Sequence, residues 1–373
     1  MNVEPRKSIF RLALMLWAIH LSGCTTSTPV TEAVQHGSDL AWRSEAVTPE
    51  PLHIANAPLL PALDINVAIF GIGADAEAAS AHMAVRKLEA RLLPGLLRDA
   101  LSSSHQWGAV RVVPSVSALA PVNIETTIVA SNGRDLILDV RVSDITGEQW
   151  FVLRLADRQD EPADDLAALS EMFYVVSNRM REYWLRLSEA QRKRLMLTTD
   201  MLYARELAPE VFGDYLDDNS PSVALKRMPA SNDPMLGRVQ RIKNHEYLFC
   251  DAIDEQLGIL LERAGPTYQL WRLAATEQAN WLDYYEAMAA SRPSGKGDGE
   301  FSRMQASYSA YRSFRIQDQA LVELAQALTG ESEPVVLNTE DAVITLEGTL
   351  EAQYATWRGL LREIFLLEQG RSP

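Results

Sequence analysis

Cysteine is nearly absent: the 373 residues contain two, Cys24 and Cys250. No CxxC occurs, so neither a dithiol redox pair nor a paired-thiolate zinc site can be assembled. Histidine is almost as scarce. Beyond His20, the residues His36, His53, His82, His105 and His245 stand singly, and none forms an HExxH. No G-x-S-x-G marks a nucleophile elbow. Positive charge is in deficit, 35 Lys and Arg against 50 Asp and Glu, for a net charge of −15. That balance removes the basic surface a nucleic acid needs, and it opposes adhesion to anionic lipid. Past the N terminus no run of about 18 apolar residues could span a bilayer. The length still suffices for two domains, and a hydrophobic content of 47% for real cores.

What is present is most informative at the start. Arg6, Lys7 and Arg11 precede the short apolar run LALMLWAI (12–19), and Leu21-Ser22-Gly23-Cys24 follows. A run this short, closed by small residues, reads as a signal peptide over 1–23 rather than a membrane span. Leu21 to Cys24 resembles a lipobox, the processing signal of bacterial lipoproteins, with His20 its one unusual neighbour. The resemblance implies cleavage before Cys24 and lipidation of its thiol. Thr25, in place of Asp, implies the outer membrane, with the protein lipid-anchored on the periplasmic face. Two acyl chains or more would hold firmly where one is marginal. Cys250 is then the only thiol left, and no intrachain disulfide can form. It shares a helical face with Ile253, Leu257 and Leu261, the pattern of an inert core thiol.

Residues 24–60 are rich in Thr, Ser, Pro and Ala, without a sustained period, and read as a flexible tether. An α/β domain is expected over 61–160. "INVAIF" reads as a buried strand, 75–101 as a long helix, and "GAVRVVP" as a short strand. Three alternating runs then follow, separated by Ser131-Asn132-Gly133 and Ile145-Thr146-Gly147, which predicts an antiparallel set. Leu136, Leu138, Val140 and Val142 form the inward face of the middle strand. A helical domain is expected over 161–332, with a narrow seam from Leu166 to Leu187 and a capping box at Ser188-Glu189-Ala190-Gln191. Separate helices are expected over 234–264 and 266–290, then a loop at 291–300. A β-hairpin plus C-terminal helix closes the chain over 333–370. The fold class is α+β, with a mostly antiparallel sheet and one long helix in its N-terminal domain.

The segments "VRKLEARLLPGLLRDALSSSHQWGAVRVVP" and "IVASNGRDLILDVRVSDITGEQWF" resemble the small α/β domain of envelope lipoproteins of the curli-secretion-channel and TolB N-terminal type. Through "LAPEVFGDYL", "DPMLGRVQRIKNHEYLFCDAIDEQ" and "LEGTLEAQYATWRGLLREIF", the whole chain resembles a proteobacterial outer-membrane lipoprotein family. That family carries no assigned activity, so the likeness implies architecture and address only.

Several stretches invite a chemical reading. Gly71-Ile72-Gly73-Ala74-Asp75-Ala76 spells G-x-G-x-x-A after a strand. The helix that follows is too long for a compact dinucleotide unit, and "VRVV" ends at Pro114 with no ribose-binding acid, so the glycines read as a strand-to-helix turn. Gly295-Lys296-Gly297 lacks Walker spacing. His245-Glu246 reads as a solvated or capping pair at a helix start. The acid pairs Asp164-Asp165, Asp217-Asp218 and Glu340-Asp341 fall where helix starts, loops and turns favour acids. No catalytic residue, metal ligand or cofactor is assigned. Trp271, Trp281, Tyr284, Tyr285, Tyr308 and Tyr311, interleaved with Arg303, Arg312 and Arg315, are dense enough for a partner surface, although helical spacing also suits a core. The expected function is a non-enzymatic interaction or accessory module in cell-envelope assembly, anchored to the membrane, with an envelope protein partner and no nucleic acid. Homo-oligomerisation stays open. The alternative is an envelope enzyme or glycan-binding protein acting on peptidoglycan or polysaccharide. A deep pocket with convergent acids would favour the alternative, and an exposed aromatic patch the module.

Overall fold

Ile65–Ala68 (β1) is buried on both faces, which suits its β-branched composition and its place inside a sheet. The computed structural model describes residues 47–73, 83–159, 166–217, 222–230, 232–290, 300–329, 334–338 and 343–368. Cys24, the signal peptide, Asp164-Asp165, Asp218, the glycine loop at 291–299 and Glu340-Asp341 lie outside them, as does the side chain of Tyr285. β1 pairs in parallel with Val110–Val113 (β3) on one side and Val122–Ser131 (β4) on the other. β4, Asp135–Asp144 (β5) and Gln149–Arg158 (β6) then run antiparallel, giving the order β3-β1-β4-β5-β6. Gly133 and Gly147 turn the two hairpins with φ of +92° each, the conformation that suits glycine. Leu136, Leu138, Val140 and Val142 are buried as their alternation predicts.

Of the glycine stretch, Ala74 to Ala76 lie outside the described residues, and Gly71 to Gly73 are not a turn. Gly71–Ile72 (β2) stays extended and pairs in parallel with Thr127 and Ile128 of β4. A Cβ on Gly73 would sit 3.1 Å from the Ile128 carbonyl, so close backbone approach explains that glycine. Met83–Ser103 (α1) buries Leu88, Leu92, Leu93, Leu96, Leu97 and Leu101 in the core. Residues 47–60, read as the end of the tether, lie along the body. Val47 N–H donates to Arg154, Ala55 N–H to Ser104 and Leu59 N–H to Gln106, all to carbonyls. Such bonds make no demand on apolar pattern, which is why composition alone reads that stretch as linker.

The seam of the helical region divides between Ala167–Glu171 (α2) and Tyr174–Arg186 (α3). Ser188 then caps Glu189–Leu207 (α4) with a complete capping box through Gln191. Pro209–Phe212 (α5) leads to the short strands Leu216–Asp217 (β7) and Ala224–Leu225 (β8).

Where two helices were expected, a single one, α6, runs from Pro234 to Ala290 through Pro266. Pro266 and Glu262, whose carbonyl it deprives of a partner, face solvent, whereas Ala264, Tyr268 and Trp271 are buried. Packing on the inner side outweighs the roughly 3 kcal/mol a mid-helix proline costs. Glu300–Thr329 (α7) packs along α6. The hairpin Val335–Asn338 (β9) and Val343–Leu346 (β10) and the helix Leu350–Glu368 (α8) close the chain, with Tyr354, Trp357, Leu361 and Phe365 buried. The fold is α+β. The described residues belong to one compact unit with a continuous apolar core.

Three substitutions separate these devices in urea denaturation of the full chain. Gly133→Ala combines a positive φ with a Cβ 2.6 Å from that of Ala275, and should cost about 2–3 kcal/mol. Ser188→Ala removes a cap and should cost about 1 kcal/mol. Gly359→Ala, inside α8 with nothing within 4 Å, should stabilise by about 0.5–1 kcal/mol.

Candidate functional site

The far end of the α6–α7 hairpin is defined by where the sheet stops supporting it. Arg272 is buried, and its Nε–H donates to the Gly133 carbonyl at 3.1 Å while its other arm pairs with Asp157. The Trp271 ring N–H donates to Asp318 of α7 at 3.1 Å. Arg134, just past the β4–β5 turn, reaches Asp283 at 2.9 Å. Beyond that bridge the sheet's tip gives α6 no further contact among these bonds, and the side chains change character.

Trp281 and Tyr284 stand with rings at 90° and centroids 5.9 Å apart. With Glu277, Asn280 and Arg303 they line a cavity of about 440 Å³. Across the hairpin, Phe301 (71% exposed), Met304, Tyr308 (64%) and Tyr311 face solvent on α7. Of the six aromatic residues read as a surface, Trp281 and Tyr284 meet at this end, and Tyr308 and Tyr311 are exposed on α7. Trp271 does not belong with them: at 1% exposure it is core, packed beside Gly133 of the β4–β5 turn. Two rings, one carboxylate, one amide and one guanidinium can stack and hydrogen-bond a ligand.

Comparison with family models, with curated proteins and with solved structures finds no match. What the molecule does must be read from its own residues.

Two buried carboxylates escape a reading of the sequence. Glu246 is no solvated partner of His245 at a helix start. It lies well inside α6, 1% exposed, and accepts from Tyr203 of α4 at 2.7 Å and Tyr354 of α8 at 2.6 Å, with the Arg358 Nε at 3.4 Å. Glu89 of α1 accepts from Ser131 at 2.6 Å and Tyr268 of α6 at 2.9 Å, and pairs with Arg86. Each falls on the apolar stripe of its helix, Glu246 between Ile242 and Cys250 and Glu89 between Val85 and Leu92, which is the one local sign that an acid is buried. Cys250, one turn from Glu246, is fully buried, and burial pushes its thiol up, away from the reactive thiolate. Among the described residues no group of His, Cys, Asp and Glu could hold a metal ion.

Burial, and then the neighbouring glutamate, raise the phenols of Tyr203, Tyr268 and Tyr354. Unfolded tyrosine ionises near pH 10. The stability these phenols confer is therefore complete below that pH and is lost as pH rises past it, because the unfolded chain gives up the protons first. The slope should be about 1.4 kcal/mol per tyrosine for each pH unit above 10. Urea titrations across that range should show a steep alkaline loss, less steep by one proton in Tyr203→Phe. A flat profile would mean these hydroxyls are wet.

Proposed function

We propose that this chain is a lipid-anchored protein of the bacterial outer membrane, facing the periplasm, which serves as a non-enzymatic docking module in envelope assembly. The observation that carries the docking role is the group of exposed aromatic residues Tyr284, Phe301, Tyr308 and Tyr311 at the far end of the α6–α7 hairpin, where Arg134 of the sheet is tied to Asp283. The anchor is supported by Leu21 to Cys24, by Thr25 and by the Thr-, Ser- and Pro-rich stretch that follows. Among the described residues no helix is long and apolar enough to cross a membrane. The likeness of the N-terminal sheet region to the TolB N-terminal type supports protein partners. A homo-oligomer is one form such docking could take.

A second reading has its own observation. The right-angled corner of Trp281 and Tyr284, beside Asn280 and Glu277, also suits a sugar ring, which stacks on one aromatic face and hydrogen-bonds at its edge. Binding of soluble peptidoglycan fragments that is lost in Trp281→Ala would select it.

Two measurements test the main reading. Cys24→Ala should move the protein from the membrane fraction to soluble periplasm; retention on the membrane would sink the anchor. Crosslinking in intact envelopes should give protein adducts that disappear in Tyr284→Glu while the melting temperature stays unchanged.

A further inference from the structure

The side chains around the cavity at the α6–α7 tip stand in an order that the helices dictate. Glu277, Asn280, Trp281 and Tyr284 follow one another at spacings of three, one and three residues, so they share one face of α6. Arg303 meets them from α7. The Trp271–Asp318 bond brings those two positions level, and residues later on α6 meet a residue earlier on α7, so the helices run antiparallel. Counted from that bond, Arg303 is level with a point nine residues past Glu277, about 14 Å along the axis. The cavity is therefore a trough. A carboxylate stands at one end, a guanidinium at the other, and the right-angled corner of Trp281 and Tyr284 lies between them.

The neighbouring Asp283 is already tied to Arg134, whereas among the described residues neither Glu277 nor Arg303 has an ion-pair partner, each other included. Both ends are open to a ligand. The volume of about 440 Å³ falls within the range of small-ligand sites, roughly 300–1,000 Å³. A flat aromatic ligand would fill the corner but leave the Glu277 carboxylate and the Asn280 amide without donors or acceptors. A saccharide ring lays a C–H face on the indole and turns hydroxyls to both. At the other end a guanidinium holds a carboxylate through two parallel bonds. A phosphate dianion is a poorer match, because one guanidinium cannot balance it in a trough that also holds Glu277, on a chain of net charge −15. We propose, resting on the sugar reading above, that this trough takes an acidic saccharide of one or two rings. Its ring lies on Trp281, its single carboxylate pairs with Arg303, and hydroxyls at its far end donate to Glu277.

The probes are cellobiose, cellobiouronic acid, which carries one carboxylate, and the primary amide of that acid. Saturation-transfer NMR titrations use the full chain in a detergent without a sugar headgroup. The acid should bind at least about tenfold tighter than cellobiose or the amide, with the preference shrinking as salt rises. Arg303→Gln should bring the acid down to the affinity of the amide and leave cellobiose unchanged. Glu277→Gln should weaken all three alike, and Trp281→Ala should abolish all three. The Arg303 and Glu277 variants should melt with the parent, since neither side chain holds a partner in the fold. Equal affinity for acid and amide, or a preference that survives Arg303→Gln, overturns the proposal and leaves the sugar reading standing. If none of the saccharides binds, both fall. Tighter binding of the dipeptide alanylalanine than of the acid also overturns it, because an ammonium at Glu277 would then define the ligand.

Discussion

Glu89 has no surface in solvent, and the groups that make its charge tolerable come from three elements: Arg86 of α1, Ser131 at the end of β4 and Tyr268 of α6. A buried carboxylate stripped of such partners costs several kcal/mol. α1, β4 and α6 therefore have one mutual arrangement that satisfies it, where apolar contacts alone would tolerate many. Glu246 imposes the same condition on α4, α6 and α8 through Tyr203 and Tyr354. α6 thus passes through two carboxylate knots about 33 Å apart along its axis, and the rest of the molecule is placed relative to it. Sheet, capped helices and C-terminal hairpin each meet this one rod.

The candidate site follows from the same rod. Where α6 lies over the sheet's tip, its aromatic residues are sealed: Tyr268 and Trp271 lie tilted at 34° with centroids 5.7 Å apart and give their polar hydrogens to buried acids. Gly133 of the β4–β5 turn lies against Trp271, whereas Trp281 and Tyr284, farther along the same helix, line a cavity with Glu277, Asn280 and Arg303. Trp271 and Trp281 differ in role because they have different neighbours.

What was legible in the sequence is what adjacent residues decide. The alternation of Leu136, Leu138, Val140 and Val142, the Gly133 and Gly147 turns and the Ser188–Gln191 box are local, and the structure has each of them. The parallel pairing of Gly71–Ile72 with β4 depends on residues more than fifty positions away, and a glycine pair by itself looks like a turn. Pro266 reads as a break until the buried face around it is known. Glu246 and Glu89 find their hydroxyl donors 42 to 179 residues away, so only their position on an apolar stripe could have hinted at burial. Of the site, the residue types were visible, while the division of aromatics into core and surface required the sheet.

The bond between Tyr268 and Glu89 also orders events in time. It joins positions 179 residues apart, so a chain made from its N terminus exposes Glu89 long before its partner exists. The β4–β6 hairpins can close as they emerge, each turn being short. The α1 face cannot be sealed until α6 arrives, and loop closure over that distance is slow to repay its entropy. The N-terminal half is accordingly an unfinished object rather than a bead on a string. A truncation that ends before residue 268 leaves Glu89 without its Tyr268 donor.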